Sequence, residues 1–235
     1  QRGVTVQQPT PLTEQEAKSI HTAEYVDAIL TGEPLDLAES QGFNWDAATW
    51  RSVSAQNGAM RDATLSALAG IPAYALGAGF HHARADTGAG FCTFNGVALA
   101  AAVARTHGVR RIIILDVDAH HGGGTYSIVH SWPEVRHIDI STSRYDAYKA
   151  QSPHHVRHIV DADDYLPHIQ HALDEVGATL QPDDLLIHNA GMDPYEHCTT
   201  GGLAGITKQI LVEREALVVR WAVAHKLRRV ACLAG

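Results

Sequence analysis

Apolar positions along this chain follow two different periods. Short β-branched runs read as strands: Ile71 to Ala78, Ile112 to Leu115, Val135 to Ser141, Leu185 to Asn189 and Arg229 to Leu233. Between and after them, apolar residues recur at helical spacing over 96–107, 125–131, 165–180 and 207–224. Asn95 stands where the first of these helices needs a cap. The amino-terminal part predicts two more helices. One runs from Ala17 to Leu30 behind a Thr13/Glu16 capping box, and the other from Asp46 to about Ala69. Residues 1–12, 35–45 and 142–163 read as extended or irregular. Strand and helix alternate from residue 71 onward, which implies right-handed βαβ crossovers. The expected fold class is α/β, three-layer, with an open parallel β-sheet and helices on both faces.

The strand Ile112 to Leu115 is apolar at every position, as a strand buried on both faces must be. It flows into Asp116, Asp118, His120 and His121, where the strand should end. Asp116, Asp118 and His120 share parity, so an extended backbone points them to one side. Two buried carboxylates need compensation, and a bound cation is the simplest kind. Two other predicted strands end in polar groups, His81-His82 and Asp193. In a parallel sheet all three ends fall on one edge, where ligand sites lie. Asp118, His120 and Asp193 would give a three-donor site with open positions, as catalytic zinc sites have. Zn²⁺ is the first expectation, and Fe²⁺ or Mn²⁺ would accept the same donors. His81 and His82 supply acid–base groups, and Asp116 could fix the tautomer of one of them.

Composition narrows the picture. At 235 residues the chain is expected to form one domain, 1–235, with a substantial core. No apolar run is long enough to span a membrane, and no basic start leads into an apolar stretch. A net charge of -8 argues against direct nucleic-acid binding. Three scattered cysteines without CxxC spacing predict reduced thiols and a cytoplasmic protein. Cys92 is expected to be a buried small apolar residue. His121 is expected behind the donors, and His188 is left open between the core and that supporting role. His154, His155, His158, His168 and His171 read as solvated surface. The run Gly122 to Gly124 lacks the Lys-Ser/Thr of a phosphate loop.

Taken together, these motifs resemble the histone deacetylase family, the metal-dependent acyl-lysine amidohydrolases of the arginase/deacetylase superfamily. Gly79-Phe80-His81-His82-Ala83 and Gly88-Ala89-Gly90-Phe91-Cys92 resemble its catalytic histidine motif and tunnel wall. Leu115-Asp116-Val117-Asp118-Ala119-His120-His121-Gly122 resembles its metal motif. Asn189-Ala190-Gly191-Met192-Asp193 resembles the stretch bearing its third ligand, and Gly201-Gly202-Leu203 onward is most like the class IV branch. The resemblance covers roughly residues 14–235. It implies Asp118, His120 and Asp193 as metal ligands and His82 as general base and acid. It implies His81, bonded to Asp116, as electrostatic support, and Gly90 and Phe91 as walls of an acyl-lysine tunnel. A monovalent cation, K⁺ or Na⁺, would sit near Asp116, Asp118, His120 and Ser141. The implied partner is an acylated lysine peptide or protein, or a small acylated amine; the oligomeric state is not legible.

Three departures stand out. Many members carry Asp or Asn where this chain has Gly123, and that residue orients the second catalytic histidine. Here water or another group must orient His82, or its basicity falls. The family's last strand leads into Gly-Gly-Tyr, whose tyrosine donates to the oxyanion. This chain stops at Gly235, so a further segment is expected, as is one before residue 1. The oxyanion donor is of a type worth on the order of 3–4 kcal/mol. Finally, residues 142–160 are short for the loop that carries a tunnel aromatic, with Tyr145 and Tyr148 as candidates. Two other readings compete with amide hydrolysis. A two-metal ureohydrolase would need further carboxylates after His121 and Asp193, where Gly122 and Pro194 stand. A catalytically weakened, metal-stabilised binding protein would be consistent with Gly123.

Overall fold

In the computed structural model, residues 3–77 and 79–234 are described. Six strands form one sheet: β1 (Ala73–Ala75), β2 (Ile112–Asp116), β3 (Val135–Ser141), β4 (His155–His158), β5 (Leu185–Gly191) and β6 (Arg228–Ala234). Their order is β1-β6-β5-β2-β3-β4, and every neighbouring pair is parallel. The chain walks outward from β2 through β3 to β4, then returns to the other side of β2 with β5. The order therefore reverses between β2 and β5. In such sheets the crevice beyond the carboxyl ends at the reversal is where ligands bind.

The helices are α1 (Glu14–Ala17), α2 (Ala23–Thr31), α3 (Leu35–Ala38), α4 (Thr49–Leu68), α5 (Gly96–Thr106), α6 (Gly123–Val129), α7 (Tyr165–Gly177) and α8 (Lys208–Ala224). Alternate residues of β2 serve opposite layers. Ile112 and Ile114 join a core with Met60 of α4 and Val97 and Leu99 of α5. Ile113 and Leu115 join a second core with Ile169 and Leu173 of α7 and Val218 and Trp221 of α8. This two-sided burial explains the unbroken apolar run. The expected three-layer α/β class is therefore observed.

Local differences have local causes. The helix expected from Ala17 to Leu30 is two helices. The Thr13/Glu16 capping box closes on α1, and Thr22 caps α2 separately. Between them His21 turns inward, its ring nitrogens meeting the Arg84 carbonyl at 2.9 Å and the Asn95 amide at 3.0 Å. α6 starts at Gly123, so the glycine run is the helix start rather than a turn before it. Within the stretch read as irregular lies β4, an edge strand. The expectation of solvated histidines there is corrected for His154, which is buried. It accepts from the His137 amide at 3.1 Å and bonds the His130 carbonyl at 3.0 Å. The predicted first strand shortens to three residues; its expected end at Ala78, and the expected terminus at Gly235, lie outside the described residues.

Candidate active site

The loops leaving β2 and β5, the two strands at the reversal, bring Asp118, His120 and Asp193 together. One donor atom from each lies within 4.8 Å of the others. His120 Nδ1 sits 3.2 Å from Asp118 Oδ1 and 3.0 Å from Asp193 Oδ2. On the far side of the ring, Nε2 donates to the Thr200 carbonyl at 3.1 Å. That bond occupies the Nε2 proton and leaves Nδ1 as the ring atom facing the carboxylates, where its lone pair would become an ion donor once the Nδ1 proton is displaced. The Ala119 amide holds the other Asp193 oxygen at 2.9 Å. Both carboxylates are buried, and one imidazole is shared between them. Two buried negative charges and a lone pair aimed at one point match the donor set of a divalent ion.

The two loop histidines stand beside this cluster, their ring centroids 4.0 Å apart. Their backbone is stapled from two directions. Asn95 Nδ2 donates to the Ala83 carbonyl at 2.8 Å, and the Thr125 amide of α6 donates to the His81 carbonyl at 2.8 Å. His81 Nδ1 meets Asp116 Oδ2 at 2.9 Å, and its Nε2 lies 3.6 Å from Asp118. Asp116 is itself held by the Asn189 amide group at 2.8 Å.

Electrostatics separate the two rings. Burial opposes a charge on His81, but Asp116 and Asp118 outweigh it and push its pKa up to about 10 without a metal ion. His82 moves the other way: burial and the neighbouring His81 charge lower it, against Asp146. Burial alone would raise the Asp118 carboxyl, but His81 and His120 hold it well below the usual range. His120 is raised to about 10, chiefly by its bonds to Asp118 and Asp193. Neighbouring rings with divergent basicities are suited to different proton roles.

A cavity of about 1200 Å³ opens onto the cluster. Gly90 and Phe91 form one wall of it. Gly90 has φ +52°, and a Cβ there would lie 2.5 Å from the His82 ring and 3.0 Å from Tyr145. Phe91 is 64% exposed and packs on Phe43, centroids 5.2 Å apart. Of the two candidate tunnel aromatics, the structure brings Tyr145 to the site, 4.9 Å from His82. Tyr148 instead stacks on Tyr126 at 4.3 Å. His121 lies behind the donors, meeting Ser141 Oγ at 2.9 Å and Asp139 at 3.3 Å. Cys92 is buried, and burial pushes its thiol up to about 12. His188 faces Glu215 at 3.0 Å.

Two participants were not foreseen. Asp146 bonds His82 from the loop after β3. Arg214, buried in α8, donates to the carbonyls of Val117 at 3.2 Å and Gly191 at 2.7 Å, the strand ends just before Asp118 and Asp193. The side chain missing at Gly123 was the one signal for the first. A charged residue inside an otherwise apolar helix face was the signal for the second.

Fold and site together define an open parallel α/β protein with three convergent candidate ion donors beside a histidine pair. The histone deacetylase domain matches residues 1–235, and the chain belongs to that family of amide-cleaving hydrolases. An uncharacterized protein of Picosynechococcus sp. is 31% identical over 225 residues, 92% of this chain and 73% of that one. Histone deacetylase 2 of Arabidopsis thaliana is 30% identical over 158 residues, 63% of this chain and 39% of that one. Among solved structures, the HDA15 HD domain superposes with TM-score 0.80 at 22% identity, over 97% of this chain and 68% of that one. That likeness supports the fold.

Proposed function

We propose that this protein hydrolyses an N-acyl amide, an acylated lysine side chain or a small acylated amine, with histidine acid–base catalysis beside a metal ion. The observation that carries the reading is the convergence of Asp118, His120 and Asp193 beside His82 at the floor of a cavity walled by Phe91 and Tyr145. The three donors would hold Zn²⁺, with Fe²⁺ or Mn²⁺ as alternatives. Such an ion would polarise the acyl carbonyl and acidify a water. His82, neutral because it is buried next to charged His81, takes the proton from the attacking water. It then returns that proton to the departing amine. His81, bonded to Asp116 at 2.9 Å, stands where it would stabilise the developing oxyanion. Phe91 and Tyr145 sheathe the apolar stem of a lysine-like substrate and exclude water from its sides.

The test is release of free acid from acetyl- and longer-chain acyl-lysine peptides and from acylated diamines by the full-length, zinc-loaded protein. Turnover is expected, and His82→Ala should lower kcat by roughly 10²–10⁴-fold, the usual span for a general base. No release from any of these substrates would sink the reading. Tight binding of the same peptides without turnover would favour the binding-protein alternative. The ureohydrolase reading lacks support: among the described residues, Asp118, His120 and Asp193 form the one cluster of ion donors.

The narrowness of the wall gives a second expectation. Gly90→Ala drives a methyl against the His82 ring at a position where positive φ already disfavours a side chain. Displacing a catalytic group by about 1 Å costs on the order of 100-fold in rate. We expect a kcat loss of that order with metal content intact; wild-type kcat would show that His82 has freedom to spare.

A further inference from the structure

The side chain that many family members place at position 123 to orient the second histidine is replaced here by a hydrogen atom. The structure fills that space from elsewhere. A Cβ built on Gly123 would lie 2.5 Å from both the backbone oxygen and Oδ1 of Asp146. Asp146 comes from the loop after β3, far from the metal motif in sequence. Its side chain is 6% exposed, and its Oδ2 lies 3.0 Å from His82 Nδ1. The same Oδ2 accepts from the Gly124 amide at 3.1 Å, and Oδ1 pairs with Arg84.

The loop that delivers this carboxylate is fastened to the site. The Tyr145 carbonyl accepts from the His121 amide at 3.1 Å, and the Tyr145 ring meets His82 edge-on. Asp146 itself turns through φ +56°, a left-handed conformation that non-glycine residues adopt rarely and aspartate more readily than most. The turn carries Tyr145 toward the cavity and Asp146 into the space beside Gly123.

We propose that Asp146 is the positioning residue for His82, supplied in place of a side chain at position 123. By accepting from Nδ1–H it fixes the tautomer in which Nε2 carries a free lone pair and faces the cavity. The groups facing His82 are His81 on its own loop, Asp118 and His120 on the metal motif, and Tyr145 and Asp146 on the loop after β3. Arg84 touches only the distal oxygen of Asp146. Asp146 is therefore the carboxylate that hydrogen-bonds this ring. The inference rests on the proposed role of His82 in turnover, but its geometric core does not.

The test uses two readouts on the full-length protein. The first is the ¹⁵N–¹H spectrum of the His82 ring, in metal-free and zinc-loaded protein, assigned by comparison with His82→Ala. The native ring should carry its proton on Nδ1. Asp146→Ala should shift it toward the Nε2–H form. The second is steady-state kinetics on the acyl-lysine peptide. Asp146→Ala should lower kcat by roughly 10–100-fold, the usual cost of removing a carboxylate behind a functional histidine, with KM within about twofold. Asp146→Asn keeps an oxygen on the His82 and Gly124 N–H groups while exposed Arg84 swings away. It should preserve the native tautomer and lose less than about tenfold. Gly123→Ala removes no functional group, yet it displaces Asp146 and should depress kcat in the same direction. An unchanged ring signal in Asp146→Ala, or equal losses in its Ala and Asn variants, would overturn the proposal. Should the protein lack acyl-lysine turnover altogether, the function proposed above falls, and the ring spectrum still decides the role of Asp146.

Discussion

Asp118→Asn is expected to remove stoichiometric metal binding and, with it, turnover. The site places one imidazole between two buried carboxylates, and a bound divalent ion would balance their charge. Substituting an amide deletes one of the two negative charges and one donor oxygen of the cradle. Changes one shell further out usually cost 10–100-fold in affinity, so loss of a donor itself should exceed roughly 100-fold. Protons compete for the same atoms. His120 is raised to about 10 in the metal-free site, so an ion must displace its proton, and affinity should weaken as pH falls. Three measurements check this: metal content after dialysis, zinc affinity by competition with a chelator, and the rise in Tm on adding zinc. A ligand that binds only the native state raises its stability, so the wild-type Tm shift should vanish in Asp118→Asn. Wild-type affinity in the variant would show that Asp118 is not a ligand.

How much of this site was legible beforehand depended on distance along the chain. Asp118 and His120 are two residues apart at the end of an all-apolar strand, so parity alone brings them together. Asp193 follows the neighbouring strand, and the parallel-sheet rule supplies the rest. For the His81–Asp116 pair, the residues alone suggested only that Asp116 could hold one of the two imidazoles, and the choice of His81 came from the family resemblance. The fold class emerged from the alternation of periods after residue 71. What escaped was whatever required a loop or a helix face to be placed in space. Asp146 lies in a segment without periodicity and turns through a left-handed residue, which no pattern marks. β4 escaped because a four-residue edge strand with two histidines and an arginine carries little hydrophobic signal. The break between α1 and α2 was hidden because Ser19 to His21 are compatible with a helix, and only the inward bonds of His21 end it. Local chemistry was thus readable, whereas contacts that close long loops were not.

Arg214 shows the energetic side of the same point, and its removal should produce the largest stability loss outside the site. Its side chain is fully buried between α8 and the sheet. Nη1 bonds Val117 O, Gly191 O and the Tyr165 hydroxyl, the last at 2.9 Å, while Nε meets Glu215 at 2.8 Å. The other Glu215 oxygen meets His188 at 3.0 Å. One guanidinium therefore ties together the strand ends that launch Asp118 and Asp193. Arg214→Met takes this donor from the Gly191 carbonyl, leaves the Val117 carbonyl to the Tyr165 hydroxyl at 3.3 Å, and removes a buried cation from Glu215. Breaking a buried charge pair from one side typically costs 3–5 kcal/mol; partial exposure of Glu215 argues for the lower end, about 3 kcal/mol. The sign with pH follows from Glu215. Burial would raise its carboxyl, but His188 and Arg214 hold it down to about 2, below the ordinary 4.5. A depressed carboxyl stabilises the fold fully above pH 4.5, and that contribution fades as pH falls toward 2. The gap between wild type and Arg214→Met, measured by urea unfolding, should be widest near neutrality and narrow below pH 4.5. Because the same side chain orients both donor-bearing strand ends, zinc affinity should fall as well. A variant as stable as wild type at pH 7, with unchanged zinc affinity, would show that the strand ends hold their positions without Arg214.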